Sequence, residues 1–266
     1  MTYCVAMLLD TGLVFLSDSR TNAGVDQIST FRKATVFQKP GDRVLVLQSS
    51  GNLAITQTVL SMLKEDIDFA AGIGVGAGQA VKGAAAAPTL MSVPNLFEAA
   101  RCVGDALREL HRRDAGPLKD FGVDFSAGLT LGGQIRGEVP RLFSIYSAGN
   151  FIEATTDTSY FQIGESKYGK PIIDRVLRRT SSLNEAVKCA LVSMDSTIRS
   201  NLSVGLPLDL VIVKRDRFNV ARHLSIDADN EYFRGIRGRW SEALREAFVQ
   251  LPDPDWLSAV ARDPID

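Results

Sequence analysis

The sequence has few of the residues that build metal centres and disulfide frameworks. Its 266 residues include only two histidines and three cysteines. Cys4, Cys102 and Cys189 lie far apart on apolar segments with no C-x-x-C spacing. An odd count so arranged reads as buried reduced thiols. His111 in ELHRRD and His223 in VARHLSID are too few for a structural zinc site on their own, and no H-E-x-x-H run is present. No metal or organic cofactor is therefore expected. A surplus of one charge is also missing. Thirty Lys and Arg face 31 Asp and Glu, for a net charge of −1, so there is no global electrostatic case for a nucleic-acid or anionic-membrane partner. No apolar run reaches the ~20 residues of a membrane span. The opening MTYCVAMLLD has no basic residue and meets Asp10 early, unlike a secretory signal. These absences point to a cytoplasmic protein.

What is present is ordinary globular composition, 45% hydrophobic and 23% charged. A chain this long buries roughly three-quarters of its unfolded surface without staples. The first 50 residues read as strands. TYCVAMLLD and LVFLSDS flank Thr11-Gly12 at hairpin spacing, and KATVFQK and RVLVLQSS flank the turn signal Pro40-Gly41-Asp42. After Gly51, the residues Leu53, Thr56, Val59, Leu60 and Leu63 fall at helical spacing behind Asn52, a candidate N-cap. Residues 69–93 hold too many glycines for an exposed helix and read as a loop or a segment covered by a neighbouring subunit. A helix is expected from near Pro94 through LFEAARCVGDALRELHRR.

The second half repeats this order. DFSAGLTLGGQI and PRLFSIYSA read as strands, residues 167–179 and 183–200 as helices, and DLVIVKR and NVARHLSI as strands. EYFRGIRGRWSEALREAFVQL reads as a long terminal helix. Strand pair, helix pair, strand pair implies an α+β fold, specifically a four-layer αββα sandwich of two antiparallel sheets between helical layers. No Pro-, Ser- or Gly-rich linker divides the chain, so residues 1–266 read as one domain with a C-terminal helix and tail over about 229–266.

Two motifs are misleading. GESKYGKP, from Gly164 to Pro171, matches G-x-x-x-x-G-K but puts proline where a P-loop needs a magnesium-binding hydroxyl. Proline there is better explained as a helix starter. Gly72-Ile73-Gly74-Val75-Gly76-Ala77 matches G-x-G-x-x-A, but it follows a helical pattern where the dinucleotide fingerprint needs a strand.

The residues that carry chemistry begin at position 2. Threonine is small enough for methionine aminopeptidase to remove Met1 and leave Thr2 first. Such a residue holds both nucleophile and base, because an α-amine of unperturbed pKa roughly 8 can take the hydroxyl proton near neutral pH. LVFLSDSRTN puts Asp18 at the end of the second strand, and FRKATVF puts Lys33 at the start of the third. Such strand ends can converge beside the first residue of a meander. A lysine near the hydroxyl lowers its pKa, and an aspartate paired with that lysine fixes its position. In QSSGN, Gly51 stands between a strand and a helix, where a backbone N–H can meet a developing oxyanion.

Together these segments resemble the proteasome β-subunit superfamily of N-terminal-nucleophile hydrolases, most specifically its bacterial Anbu branch. The opening MTYCVAM, the run SDSRTNAGVD and TFRK carry the likeness most specifically. It continues through IYSAGNFIEA, YFQIGESKYGKPI and STIRSNLSVGLPLDL and covers essentially the whole chain. The resemblance implies the αββα fold and a Thr2 nucleophile freed by removal of what precedes it. It further implies Asp18 and Lys33 as the supporting ion pair and Gly51 as the oxyanion donor. Identical subunits would assemble into a ring or open spiral and act on peptides or other amides, with an unfoldase or an amide-ligation system as a further partner class.

Two positions depart from the superfamily pattern. The lysine stands one residue nearer the nucleophile than in eukaryotic and archaeal β-subunits. The late Asp-x-x-Ser-Gly signature reads Ser200-Asn201-Leu202-Ser203-Val204, with Ser200 in place of the aspartate and Ser203 as the serine. The superfamily's other serine falls around Glu165-Ser166, which puts Glu165 at the site as well. These departures sustain an alternative: a nearly inactive ring- or spiral-forming protein that works by binding partners.

Overall fold

A computed structural model describes residues 2–22, 28–73, 87–254 and 256. The chain splits into two compact units, Met1–Ala228 and Asp229–Asp266. The larger holds two five-stranded antiparallel sheets. The first contains β1 (Tyr3–Leu9), β2 (Gly12–Asp18), β10 (Tyr160–Gly164), β11 (Leu208–Lys214) and β12 (Val220–Ile226), in the order β10-β1-β2-β11-β12. The second contains β5 (Ala34–Lys39), β6 (Arg43–Gly51), β7 (Ala127–Ile135), β8 (Arg141–Ile145) and β9 (Phe151–Glu153), side by side in chain order. Two short strands, β3 (Arg20–Asn22) and β4 (Ile28–Thr30), pair with each other.

Alternation along the strands assigns each face. On β6, Leu45 and Leu47 join Val59, Val103 and Leu107 in the core beneath α1 (Leu53–Ala70) and α2 (Leu96–Asp120). Val44 and Val46, on the opposite face, join Ala6, Leu8, Phe15 and Val211 in a second core shared by the two sheets. On β1, Ala6 and Leu8 face that shared core, which leaves Tyr3, Val5 and Met7 for the face covered by α4 (Leu183–Ser200). All residues of β1 and β2 are buried. Strands covered on both faces read as continuous apolar runs, as these do. α3 (Lys170–Val176) packs on α4.

Local chemistry sets the helix ends. Asn52 caps α1, its Oδ1 accepting from the Ala54 N–H at 3.0 Å. Ser182 and Glu185 form a reciprocal capping box at the start of α4. α2 starts at Leu96, later than the expected start near Pro94, because Asn95 Oδ1 accepts the Glu98 N–H at 2.8 Å and so fixes the boundary. It continues to Asp120, with Pro117 accommodated inside. The helix expected at 167–179 is shorter, Lys170–Val176, because residues 167–169 form a turn and Pro171 occupies its first turn. α1 reaches Ala70, so the Gly/Ala-rich run over 69–93 begins helically. Residues 74–86 of that run lie outside the described residues, as does most of the G-x-G-x-x-A match.

The smaller unit contains α5 (Glu231–Val249), capped by Asn230 Oδ1 accepting from the Phe233 N–H at 2.9 Å. Among the described residues no helix is long and apolar enough to cross a membrane.

Two glycines test this packing in opposite senses. A Cβ at Gly132 on β7 would lie 2.8 Å from Phe15 Cζ and 2.9 Å from Leu142 Cδ1, inside the core between the sheets. Gly132→Ala is expected to destabilise the protein by about 1–3 kcal/mol. Gly116 on α2 has open space around it, so Gly116→Ala should stabilise by up to about 1 kcal/mol. Urea midpoints at fixed protein concentration check both signs.

Candidate active site

Asp18 ends β2, fully buried, with Leu208 of β11 as its strand partner. Its Oδ1 accepts two hydrogen bonds, one from Lys33 Nζ at 2.7 Å and one from the Tyr3 backbone N–H at 3.0 Å. Lys33, 4% exposed, also donates to the Arg20 carbonyl at 2.6 Å. The third proton of its ammonium has no acceptor among the described residues. Burial pushes the Asp18 carboxyl above the ordinary carboxylate range, while the Lys33 ammonium and the N–H groups of Tyr3 and Gly205 pull it back down. Immediately after Lys33, β5 begins, and the Lys33 carbonyl accepts the Ser49 N–H of β6 at 3.0 Å. The lysine is thereby tied to both sheets.

Thr2 is half-buried and directly precedes β1. Its carbonyl accepts the Glu165 N–H at 2.6 Å, and the next backbone N–H, that of Tyr3, goes to Asp18. The Thr2 hydroxyl makes no hydrogen bond among the described residues. Gly164 has φ +82°, and a Cβ there would lie 2.0 Å from the Thr2 carbonyl oxygen. Only glycine allows β10 to turn this close beside Thr2. This is the first glycine of the P-loop-like run. The Tyr3 ring anchors the same strand from below: Tyr3 Oη lies 2.6 Å from Ser193 Oγ on α4 and accepts from Gln162 Nε2 at 2.7 Å.

Glu165 is almost buried and doubly held, Oε1 accepting from the Lys167 N–H and Oε2 from Asn201 Nδ2, both at 3.0 Å. Ser166 follows it, half-buried. Gly51 closes β6 two residues beyond Ser49 with φ +106°, and a Cβ there would meet the Ser126 carbonyl at 2.4 Å. Ser203 is half-buried and gives its N–H to Asn201 Oδ1 at 2.9 Å. Ser200 is exposed at the last position of α4. The structure therefore gathers Asp18 and Lys33 against Tyr3, and Glu165 against Thr2, while Ser200 stays at the rim. Asn201, one residue further on, makes the inward contact that sequence reasoning did not assign. Its signal is an amide at a helix C-cap, where its partner lies 36 positions away.

The remaining chemistry is muted. Burial pushes the thiol of Cys4 upward, and those of Cys102 and Cys189 up to about 11, so none is a ready nucleophile. All three are free cysteines. His111 is exposed on α2 with its ring edge-on to Phe125, and His223 Nε2 lies 2.7 Å from Asp209 Oδ1. Among the described residues no group of three His, Cys, Asp or Glu side chains could hold a metal. A cavity of about 340 Å3 beside Asn52, Ile55, Leu118 and Phe121 borders the start of α1 rather than Thr2.

No protein-family model and no curated protein matches this chain. Solved structures do. The chain is 52% identical to Anbu (ancestral beta-subunit) from Yersinia bercovieri, over 95% of this chain and 99% of that one, with a TM-score of 0.83. The chain belongs to the Anbu family. Anbu from Hyphomicrobium sp. strain MC1 is 50% identical over 95% and 99% of the two chains, TM-score 0.84. A structure described as the helical assembly of the Anbu complex from Pseudomonas aeruginosa is 48% identical over 95% and 98%, TM-score 0.84. This Anbu chain thus shares a proteasome-like relationship with proteins already solved.

The buried pair behaves as one unit. Asp18→Asn alone strands the Lys33 ammonium and should cost about 3–5 kcal/mol, whereas Asp18→Asn with Lys33→Met should cost clearly less. Urea unfolding of the two variants at equal protein concentration measures this, and equal losses would contradict the coupling.

Proposed function

We propose that this Anbu chain is a proteasome-like threonine-type amide hydrolase that cleaves peptides within a cytoplasmic assembly of identical subunits. One observation carries the reading: the Asp18 oxygen that pairs with Lys33 also holds the backbone immediately after Thr2. The Lys33 ammonium is thereby, in this reading, aimed toward the Thr2 hydroxyl, which has no hydrogen-bond partner among the described residues. In this reading residues 1–266 form one β-subunit-like domain with a C-terminal helix and tail, and the two sheets and their helices are the αββα layers of an N-terminal-nucleophile hydrolase.

The chemistry requires Thr2 to be the first residue. Thr2 Oγ attacks the amide carbonyl, and the freed α-amine takes the hydroxyl proton and passes it to the leaving amine. Lys33 lowers the cost of the alkoxide, Asp18 fixes Lys33, and the Gly51 N–H receives the oxyanion. Water then releases the acyl group, with Ser203, Ser166 and Glu165 lining the same space.

Peptide epoxyketones test this directly, since they react once with the hydroxyl and once with the adjacent amine to close a ring. A form beginning at Thr2 should gain one inhibitor mass on its first peptide, and Thr2→Ser should still be labelled. Thr2→Ala, or a form retaining Met1, should gain none, and Lys33→Ala should lose peptide turnover under conditions where circular dichroism shows it still folded. Lys33→Arg should be poor as well, because a planar guanidinium cannot replace a compact ammonium. Equal labelling with Met1 in place would refute the amine-as-base mechanism.

A second reading is a nearly silent assembly protein. It draws on the exposed Ser200, which leaves the late loop without its carboxylate, and on the helical assembly described for the P. aeruginosa relative. Peptide turnover abolished by Thr2→Ala separates the two. Both require self-association, head-to-tail contacts closing a ring or winding an open spiral. Light scattering should give a mass several times 28.9 kDa. A monodisperse monomer at micromolar concentration would contradict either reading.

A further inference from the structure

The segment Asn201–Gly205, between α4 and β11, is linked to Thr2 through Glu165. At its start, Asn201 Nδ2 donates to Glu165 Oε2 at 3.0 Å, and the Glu165 N–H holds the Thr2 carbonyl at 2.6 Å. At its end, Gly205 packs against the Arg20 guanidinium, and the Arg20 carbonyl accepts from Lys33 Nζ at 2.6 Å. Asn201 is itself fixed, its N–H donating to the Thr197 carbonyl and its Oδ1 accepting from Ser203 N–H, each at 2.9 Å.

Glu165 is only 9% exposed, yet its hydrogen-bond donors are a side-chain amide and a backbone N–H, and it has no ion pair among the described residues. A buried carboxylate is costly unless a cation matches it. Of the other charged groups around this space, Asp18 and Lys33 neutralise each other, and Lys167 is exposed. Arg20 donates to the Leu202 carbonyl at 3.2 Å and packs on Gly205, with no ion pair to Glu165 among the described residues. The cation that processing would bring to the neighbourhood is the α-ammonium of Thr2.

We propose that the Glu165 carboxylate is the counter-ion of the freed Thr2 amine and that Asn201 is the positioning residue that aims it. This rests on the reading that Thr2 becomes the first residue. Here the loop supplies an amide, and the charge comes from the turn after β10. The amine must be neutral to accept the hydroxyl proton, and the carboxylate opposes the depression that nearby Lys33 imposes on it.

The test is the pH dependence of acylation of the Thr2 α-amine by trace acetic anhydride, read by mass spectrometry on the first peptide of full-length protein beginning at Thr2. Glu165→Gln keeps the shape and an acceptor oxygen but removes the charge, and the titration midpoint should fall by about one pH unit. Asn201→Ala should lower it in the same direction by less, and the double variant should match Glu165→Gln alone. If Asn201→Ala fails to fold, Asn201→Ser replaces it, retaining a short hydroxyl for the Ser203 N–H while losing the reach to Glu165. An unchanged midpoint in Glu165→Gln overturns the counter-ion. No shift in the Asn201 variant, or a shift that adds in full to that of Glu165→Gln, overturns the positioning role. The readout needs no turnover, so it fails or succeeds independently of amide hydrolysis.

Discussion

An ammonium and a carboxylate withdrawn from water each carry a penalty of several kcal/mol unless they meet one another with their hydrogen bonds made. Lys33 and Asp18 meet that condition at 2.7 Å, and doing so joins three separate pieces of chain. Asp18 is the last residue of β2, Lys33 immediately precedes β5 in the other sheet, and Tyr3 opens β1. The pair is thus a bolt between the sheets as well as an electrostatic feature. The hairpin of β1 and β2 needs buried, twisted neighbours on both sides to bring Asp18 to this depth, which β10 and β11 provide. A surface pair of the same residues would do neither job, since exposed ion pairs contribute about 0–1 kcal/mol.

Much of this arrangement is legible in the amino-acid order, for identifiable reasons. The β1–β2 and β5–β6 hairpins announce themselves by apolar runs around short turns, and Asn52 by its place before a helical apolar pattern. The start of α2 was obscured by Pro94, a favoured first helical residue that here sits outside a stronger asparagine cap. β9 is not legible in the sequence, because three residues of mixed burial carry no usable period, whereas β10 falls where the P-loop-like run has its preceding strand and delivers Gly164 and Glu165 to Thr2.

The site divides in the same way. Asp18 and Lys33 stand at strand ends, and strand ends can be located from local patterns. The partnership of Glu165 with Asn201 depends on how α4 and the turn after β10 are brought together, which no local pattern encodes. Ser200 and Asn201 illustrate the limit. They are adjacent in sequence, yet the end of α4 turns one outward and the other into the protein. The P-loop-like run is informative for a related reason: its glycine is required by the approach of Thr2, not by a phosphate.

The order of strands in the first sheet has a kinetic side. β1 and β2 lie at the very beginning of the chain, but their outer partners come much later: Tyr3 pairs with Gly164, and Asp18 with Leu208. Contacts this remote in sequence form late, because closing long loops must precede any reward from pairing. During synthesis, the β1–β2 hairpin is made well before β10 and β11 can flank it. A nascent chain therefore has Thr2, Asp18 and Lys33 well before the strands that flank them, and Glu165 comes to lie against Thr2 only as the fold nears completion.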